Sequence, residues 1–261
     1  IDAYAMDPDS QDTLAFGKAS GPSWLAVSAA GMMSGTPTGA DVGTHDVVVT
    51  ATDSAGNSAQ GTFRIQVFLA GTESVTSLKV MSFNLWHGFG SINNGHRKGL
   101  DAVILSGADL IGTQETVDNV SGSNVYQVRK MAEDLGWYYS PAGAGDSGIL
   151  SRYPIVSQFV SGVANGVRVR LCANPVRDVI LYNCHLDYLH YAPYAAQLNG
   201  ATASKVLTEE MSSQRDEEIA VILSGMSGNL ANADTTPVFL TGDFNAPSHL
   251  DWTNATASAH G

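Results

Sequence analysis

The spacing of apolar residues changes near residue 78, and that change constrains the fold more than any other feature of this 261-residue chain. Before it, Asp7-Pro-Asp-Ser, Ser20-Gly-Pro, Ser34-Gly-Thr-Pro-Thr-Gly and Asp53-Ser-Ala-Gly-Asn separate the strand-sized runs Thr13–Phe16, Leu25–Ser28, His45–Ala51 and Gly61–Val67. Gly, Pro, Asn and Asp at these positions favour turns. Short strands at this spacing predict an all-β sandwich over residues 1–68. Residues 69–77 are small and polar and read as a linker. From Leu78 strand-like and helix-like segments alternate. Leu78–Leu85, Ala108–Glu115, Trp137–Ser140, Ser147–Ser151, Phe159–Val163, Val167–Ala173, Val179–His185 and Pro237–Asp243 read as strands. Gly99–Ser106 and Asn124–Leu135 read as helices, the second with Val125, Val128, Met131, Ala132 and Leu135 on one face. Residues 192–223 read as largely helical, broken near Leu198–Thr202. This succession predicts an α/β domain over 78–261, two sheets packed face to face and flanked by helices.

Four of the predicted strands end in polar groups that a structural role does not require. Val80-Met-Ser-Phe ends in Asn84, and Asp109-Leu-Ile-Gly-Thr ends in Gln114 and Glu115. Leu181-Tyr-Asn-Cys ends in His185, with Asp187 two positions on, and Phe239-Leu-Thr-Gly ends in Asp243, followed by Asn245. Rigid core strands that carry such groups at their ends are a common way to hold a site. The residue types suit hydrolysis of a phosphate ester. That reaction calls for a divalent cation to neutralise oxygens, a carboxylate to hold it, and groups that move protons to and from water. Mg²⁺ takes oxygen ligands and needs only one or two carboxylates. Glu115 is the natural ligand and Asn84 its helper. Asp243 can orient or deprotonate water, Asn245 can donate to a non-bridging oxygen, and His185 can donate a proton near neutral pH. Asp187, His190 and Arg152 are further candidates for contact with substrate. Each has a simpler reading: Asp187 and His190 can pair with each other, and Arg152 can brace a loop. Arg215, beside Asp216, Glu217 and Glu218, reads as a solvated or bracing helix residue.

Charge and cysteine content narrow the classes. The net charge is −12, from 25 acidic and 13 basic side chains, and no basic arm or stripe offsets it. Phosphate contacts dominate non-specific nucleic-acid binding, so a phosphate substrate here must be held by a local, metal-assisted site. Most of the acidity simply favours solubility. With 44% apolar and 15% charged residues the composition is that of a folded protein, not a disordered one. No apolar run approaches the roughly 20 residues that span a bilayer, so stable membrane insertion is not expected. Cys172 and Cys184 fall on successive strands of one predicted hairpin, with Cys172 facing a residue near Ile180. That register holds the two thiols beyond disulfide reach. Asp7 and Asp9, with Asp12, form an oxygen-rich turn whose composition suits Ca²⁺, although Asp favours turns without any metal.

Two resemblances sharpen this reading. Gly21-Pro-Ser-Trp-Leu, Gly35-Thr-Pro and Val42-Gly-Thr-His-Asp-Val-Val-Val-Thr-Ala-Thr-Asp-Ser-Ala-Gly-Asn resemble the immunoglobulin/cadherin-like repeats of secreted bacterial proteins. This resemblance implies a secreted or cell-surface protein and an immunoglobulin-like sandwich whose opening strand is largely missing. Phe83-Asn84-Leu, Gln114-Glu115, Ser147-Gly-Ile-Leu-Ser-Arg-Tyr-Pro-Ile, Asn183-Cys-His185-Leu and Gly242-Asp243-Phe-Asn245 stand in the order of the endonuclease/exonuclease/phosphatase superfamily. That superfamily includes pancreatic-type deoxyribonucleases, abasic-site endonucleases and neutral sphingomyelinases. The resemblance implies a Mg²⁺-dependent phosphoesterase, with Mn²⁺ an acceptable substitute. Its substrate would be a nucleic acid, a phospholipid headgroup or a small phosphoester. A monomer is the default expectation. The family's closing strand, with an Asp-His pair, does not follow Asn245; Asp251 and His260 lie too close to Asp243 to serve. About a quarter to a third of a normal domain is therefore expected to be missing, and the fragment alone is expected to turn over little substrate. The competing reading is a secreted adhesion protein in which the immunoglobulin-like domain works and the second domain is inactive. The joint presence of Asn84, Glu115, His185, Asp243 and Asn245 argues against it.

Overall fold

The computed structural model describes residues 4, 5, 7, 12–68, 75, 77–118, 125–140 and 146–247. The amino-terminal region is all-β. Strands β1 (Ala15–Ser20), β4 (Gly43–Thr52) and β5 (Ser58–Val67) form an antiparallel sheet in the order β1-β4-β5, and β2 (Leu25–Val27) pairs with β3 (Met33–Gly35). Phe16, Leu25, Val47 and Val49 are buried between them. The described strands fit the expected sandwich, with one strand that the turn chemistry hid. Ser34 and Gly35 read as turn residues, yet Met33–Gly35 pairs with Leu25–Val27, and a Cβ on Gly35 would run into the carbonyl of Trp24. The lack of a side chain lets the two backbones meet. The expected linker, 69–77, lies largely outside the described residues. Arg97 nonetheless joins the two regions by donating from Nη1 to Ala5 O at 2.9 Å.

The second region is mixed. In chain order it comprises β6 (Val80–Asn84), α1 (Gly95–Ser106), β7 (Leu110–Gln114), β8 (Val117–Asp118), β9 (Val125–Tyr126), α2 (Gln127–Leu135), β10 (Tyr138–Ser140) and β11 (Gly148–Ser151). There follow β12 (Ile155–Ser161), β13 (Ala164–Ala173), β14 (Val176–His185), α3 (Ala192–Ala196), α4 (Ala203–Glu210), α5 (Arg215–Leu230) and β15 (Val238–Asp243). One sheet has the order β10-β11-β7-β6 and the other β12-β13-β14-β15. Successive side chains on a strand point to opposite faces, and the core follows that rule. Leu110, Ile149, Val167, Val179 and Leu181 pack between the sheets. Ile111 and Leu150 face outward onto Leu100 and Val103 of α1 and Val128 and Met131 of α2. Ile180, Tyr182 and Cys184 face outward onto Ile222 and Met226 of α5. Strands buried on both faces explain why the sequence shows apolar runs there instead of alternation. Among the described residues no helix is long and apolar enough to cross a membrane.

Several boundaries differ from expectation for local reasons. The strand expected over Phe159–Val163 ends at Ser161, because Gly162, at φ 57°, turns the chain into β13. The β13–β14 turn is tighter than predicted and a register shift follows Arg170. Cys172 therefore faces Arg177, and Ile180 faces Arg168. Both cysteines are free and buried, as expected. The helix expected from Asn124 begins at Gln127, since Val125–Tyr126 pairs with Val117–Asp118. The long helical stretch is broken twice, between α3 and α4 and again between α4 and α5.

Candidate active site

Two parallel pairings build the site. β6 runs parallel to β7 with Asn84 opposite Gln114, and β14 runs parallel to β15 with His185 opposite Asp243. Parallel neighbours end on the same side, so polar residues that terminate such strands converge outside their carboxyl ends. The two sheets are fastened beneath that point by a buried polar floor. Gln114 Nε2 donates to Asn183 Oδ1 at 2.6 Å, and Thr241 Oγ1 donates to the same oxygen at 3.1 Å. Asn183 Nδ2 donates to Thr113 O at 2.8 Å and to Gly148 O at 3.1 Å. Buried amides are tolerable when their hydrogen bonds are made, and here they fix the spacing of the sheets. Gly112 allows that close approach, for a Cβ there would overlap Asn183 and Thr241.

Above the floor, Asn84 bridges the sheets. Its Nδ2 donates to Glu115 Oε1 and to Asp243 Oδ2, each at 2.9 Å, while its Oδ1 accepts from Trp86 N at 2.8 Å. Glu115 Oε2 accepts from His87 N at 2.8 Å. Asp243 Oδ1 accepts from Asn245 N at 3.0 Å, and Asn245 Nδ2 donates to Leu186 O at 2.8 Å. The backbone is bent to make these contacts. Trp86, His87, Glu115 and Asn245 all have left-handed φ, between 41° and 55°. That conformation costs an L-residue about 1–2 kcal/mol. Such outliers persist where surrounding contacts over-determine them, and they gather at functional sites.

His185 joins the group from β14. Its Nδ1 lies 2.9 Å from Asp146 Oδ1. The hydrogen bond to Asp146 holds the imidazole above its ordinary pKa against the opposing effect of burial, and the charges of Asp146, Asp243 and Glu115 add to the rise. Burial acts to raise the Asp146 carboxyl, but the hydrogen bond and charge of His185 outweigh it and leave the group below the usual range. His185 is therefore protonated more readily than an ordinary histidine, with Nδ1 on Asp146. Cys184, its neighbour in sequence, is no nucleophile: burial, with Glu218 and Asp243 nearby, pushes its thiol up to about 12.

The donor set fits a hard divalent cation. Glu115 and Asp243 stand on either side of one amide, each of their oxygens accepting an N–H and keeping further lone pairs. Among the described residues neither is paired with Lys or Arg; the ring of His87 lies 3.7 Å from Glu115. Two adjoining carboxylates repel each other, and a small oxygen-loving cation would relieve that repulsion.

Asn84, Glu115, His185, Asp243 and Asn245 are thus brought together. Gln114 belongs to the floor. Asp187 and His190 lie on the segment that leaves the site, and both are already engaged. Asp187 accepts from Leu189 N and Gln214 N, and His190 lies 3.0 Å from Glu209. Arg152 stands at the far end of β11, over the Trp137 ring and 3.7 Å from Asp109. His96 bridges Gln127 and Asp134. Asp9, His249, Asp251 and His260 lie outside the described residues. In the sandwich, Asp7 and Asp12 are joined by Asp53, with carboxylate oxygens within 4.8 Å of one another. One site residue, Asp146, escaped the sequence, and His87 is legible only as a loop histidine near the site. His87 follows Asn84 by three positions but reads as an incidental loop histidine. Asp146 stands just before the Ser147-Gly-Ile-Leu motif, and no local pattern links it to a histidine 39 positions later.

Residues 81–261 match the model of the Endonuclease/Exonuclease/phosphatase family, and residues 1–68 match that described as "Putative Ig domain". The chain is also similar to an uncharacterized protein of Caenorhabditis elegans, 28% identical over 70% of this chain and 58% of that protein. The chain thus spans little more than half the length of that relative.

Proposed function

The chain belongs to the endonuclease/exonuclease/phosphatase family, and from that premise we propose that it hydrolyses a phosphate ester, a phosphodiester first among them, by Mg²⁺-assisted attack of water on phosphorus. One observation carries the reading: the Asn84 amide holds Glu115 and Asp243 side by side at 2.9 Å each, across two sheets, with His185 opposite Asp243. Glu115 would hold the cation, with Asn84 setting its distance from Asp243. A bound Mg²⁺ neutralises phosphate oxygens and raises the electrophilicity of phosphorus; Mn²⁺ shares its preference for oxygen ligands.

The chain's own groups account for the proton movements. Asp243 orients a water and accepts its proton as the water oxygen bonds to phosphorus. The ester P–O bond breaks, and His185, fixed by Asp146 at Nδ1, delivers a proton from Nε2 to the leaving oxygen. Asn245 spends one amide hydrogen on Leu186 O and offers the other to a non-bridging oxygen. Nucleic acid, phospholipid headgroup and small phosphoester all remain within this substrate class. A secreted or cell-surface location is part of the same proposal.

The test uses the full-length protein and an activated phosphodiester such as bis(p-nitrophenyl) phosphate. Hydrolysis is expected to require Mg²⁺, to stop with chelator and to be lost in Asp243→Ala. Full activity in that variant would remove Asp243 from the mechanism. A folded, Mg²⁺-loaded protein inert toward every phosphoester class would favour the adhesion reading instead.

A further inference from the structure

Among the described residues one charged side chain is buried: Arg215, the first residue of α5, at 5% exposure. A buried charge is costly unless it is paired and hydrogen-bonded. Its one carboxylate partner is Glu210, at 2.8 Å. The other donors go to main-chain carbonyls: Nη1 to Asp187 O at 3.0 Å and Leu189 O at 2.9 Å, and Nη2 to His190 O at 3.1 Å. Nε has no hydrogen-bond partner, and the Tyr191 ring lies 5.9 Å from the guanidinium carbon. Neighbours of Arg215 grip the same segment. Glu218 accepts from Asp187 N at 2.8 Å, Asp187 accepts from Gln214 N at 3.0 Å, and Glu210 accepts from Ala192 N at 3.3 Å. His190 is held at a left-handed φ of 52°.

A guanidinium that spends its donors on carbonyls fixes the position of a backbone. Only Leu186 lies between that backbone and the site. Leu186 N donates to Asp243 O at 3.0 Å, Leu186 O accepts from Asn245 Nδ2 at 2.8 Å, and His185 precedes it. We infer that Arg215 is a positioning residue for the catalytic site, holding Asp187–His190 so that Leu186 fixes the Asn245 amide and the His185 ring. Lysine, a point charge without the planar fork, does not replace it. The inference deepens the phosphoesterase reading and rests on it. A purely structural Arg215 would instead lower stability and leave the folded enzyme's kinetics unchanged.

The experiment compares Arg215→Lys and Arg215→Ala in the full-length protein with Mg²⁺ and an activated phosphodiester. Misplacing a reacting group by about 1 Å costs on the order of 100-fold. A fall in kcat of about that size is expected in both variants, with KM changed much less. Millimolar ethylguanidinium should restore part of kcat to Arg215→Ala and none to Arg215→Lys. If Arg215→Ala does not fold, Arg215→Lys carries the test. Wild-type kcat in Arg215→Lys overturns the inference, as does a loss in folded Arg215→Ala that ethylguanidinium does not relieve. Hydrogen exchange provides an arm independent of turnover. Arg215→Lys should speed exchange at the amides of Leu186–His190 and shift the His185 imidazole resonances; protection and resonances like the wild type overturn the inference. Inert wild-type protein with faster exchange in Arg215→Lys would sink the phosphoesterase reading while the clamp stands.

Discussion

In the amino-terminal sandwich, Asp7, Asp12 and Asp53 bring carboxylate oxygens within 4.8 Å of one another at a turn. In the second domain Glu115 and Asp243 meet across two sheets, with one amide between them. The turn cluster is satisfied by its own surroundings. Asn57 donates to both oxygens of Asp53, from its backbone N and from Nδ2 at 2.8 Å each, and the side-chain bond is the main reason the Asp53 carboxyl lies low. Ser54 donates to Asp12 at 2.6 Å. The Asn57 bonds are local ones of the kind a turn offers, whereas the Ser54 bond to Asp12 spans 42 positions. The strand-end cluster is held by residues far apart in sequence, in strained backbone, above a buried polar floor. Proximity of carboxylates is thus common to both, and what sets the second apart is the strained backbone and the buried amide floor beneath it.

That contrast can be broken by experiment. The largest effect should come from Asp243→Ala, with kcat down about 1000-fold, within the range removed with a general acid or base. Its melting temperature without metal should change little, because relief of carboxylate repulsion opposes the loss of the Asn84 and Asn245 hydrogen bonds. A clear loss of stability would show Asp243 to be structural. Next comes the response to metal. Mg²⁺ at a hundred times its dissociation constant should stabilise the folded protein by about 2.7 kcal/mol, seen as a chelator-reversible rise in melting temperature. Glu115→Gln should lose most of this rise and Asp53→Asn should keep it. Equal losses in the two variants would erase the distinction between the clusters.

Asp146→Asn gives a smaller effect, and its sign follows from linkage. The folded state raises the His185 pKa above 6.5, chiefly through Asp146. The stabilisation is therefore complete below pH 6.5 and is lost as pH rises through the folded value. Metal-free wild type should melt progressively lower above pH 6.5, and Asp146→Asn should flatten that trend and lower the His185 pKa measured by NMR. An unmoved pKa would take Asp146 out of the site. The smallest effect is expected from Asp53→Asn on its own, a slight fall in melting temperature with kinetics unchanged; a change in kcat would tie the sandwich to the reaction.

Much of this architecture was legible beforehand, and the exceptions share a cause. The strand ends at Asn84, Glu115, His185 and Asp243 are local patterns, an apolar run halted by a polar residue, so they could be read without a structure. The extra strand Met33–Gly35 could not, because turn residues are drawn into a strand by a partner. Nor could the register that sets Cys172 against Arg177, which a bulge decided. Gln114 and Glu115 looked alike as neighbours, yet one is buried in the floor and the other faces the site. Arg215, in an acidic helix, looked solvated or bracing. Burial gives it the second role, and only the path of residues 187–190 shows what it braces.

The sequence by itself determined the two-domain pattern, the order of the strands that carry the site and the kinds of groups at their ends, because strand period, turn chemistry and motif spacing all act over a few residues. The tertiary structure decided which of those groups touch. Asn84 reaches Asp243 across 159 positions, and His185 finds Asp146 across 39. Such contacts depend on how two sheets stack and how far a buried amide floor lets them approach, and no local spacing carries that distance.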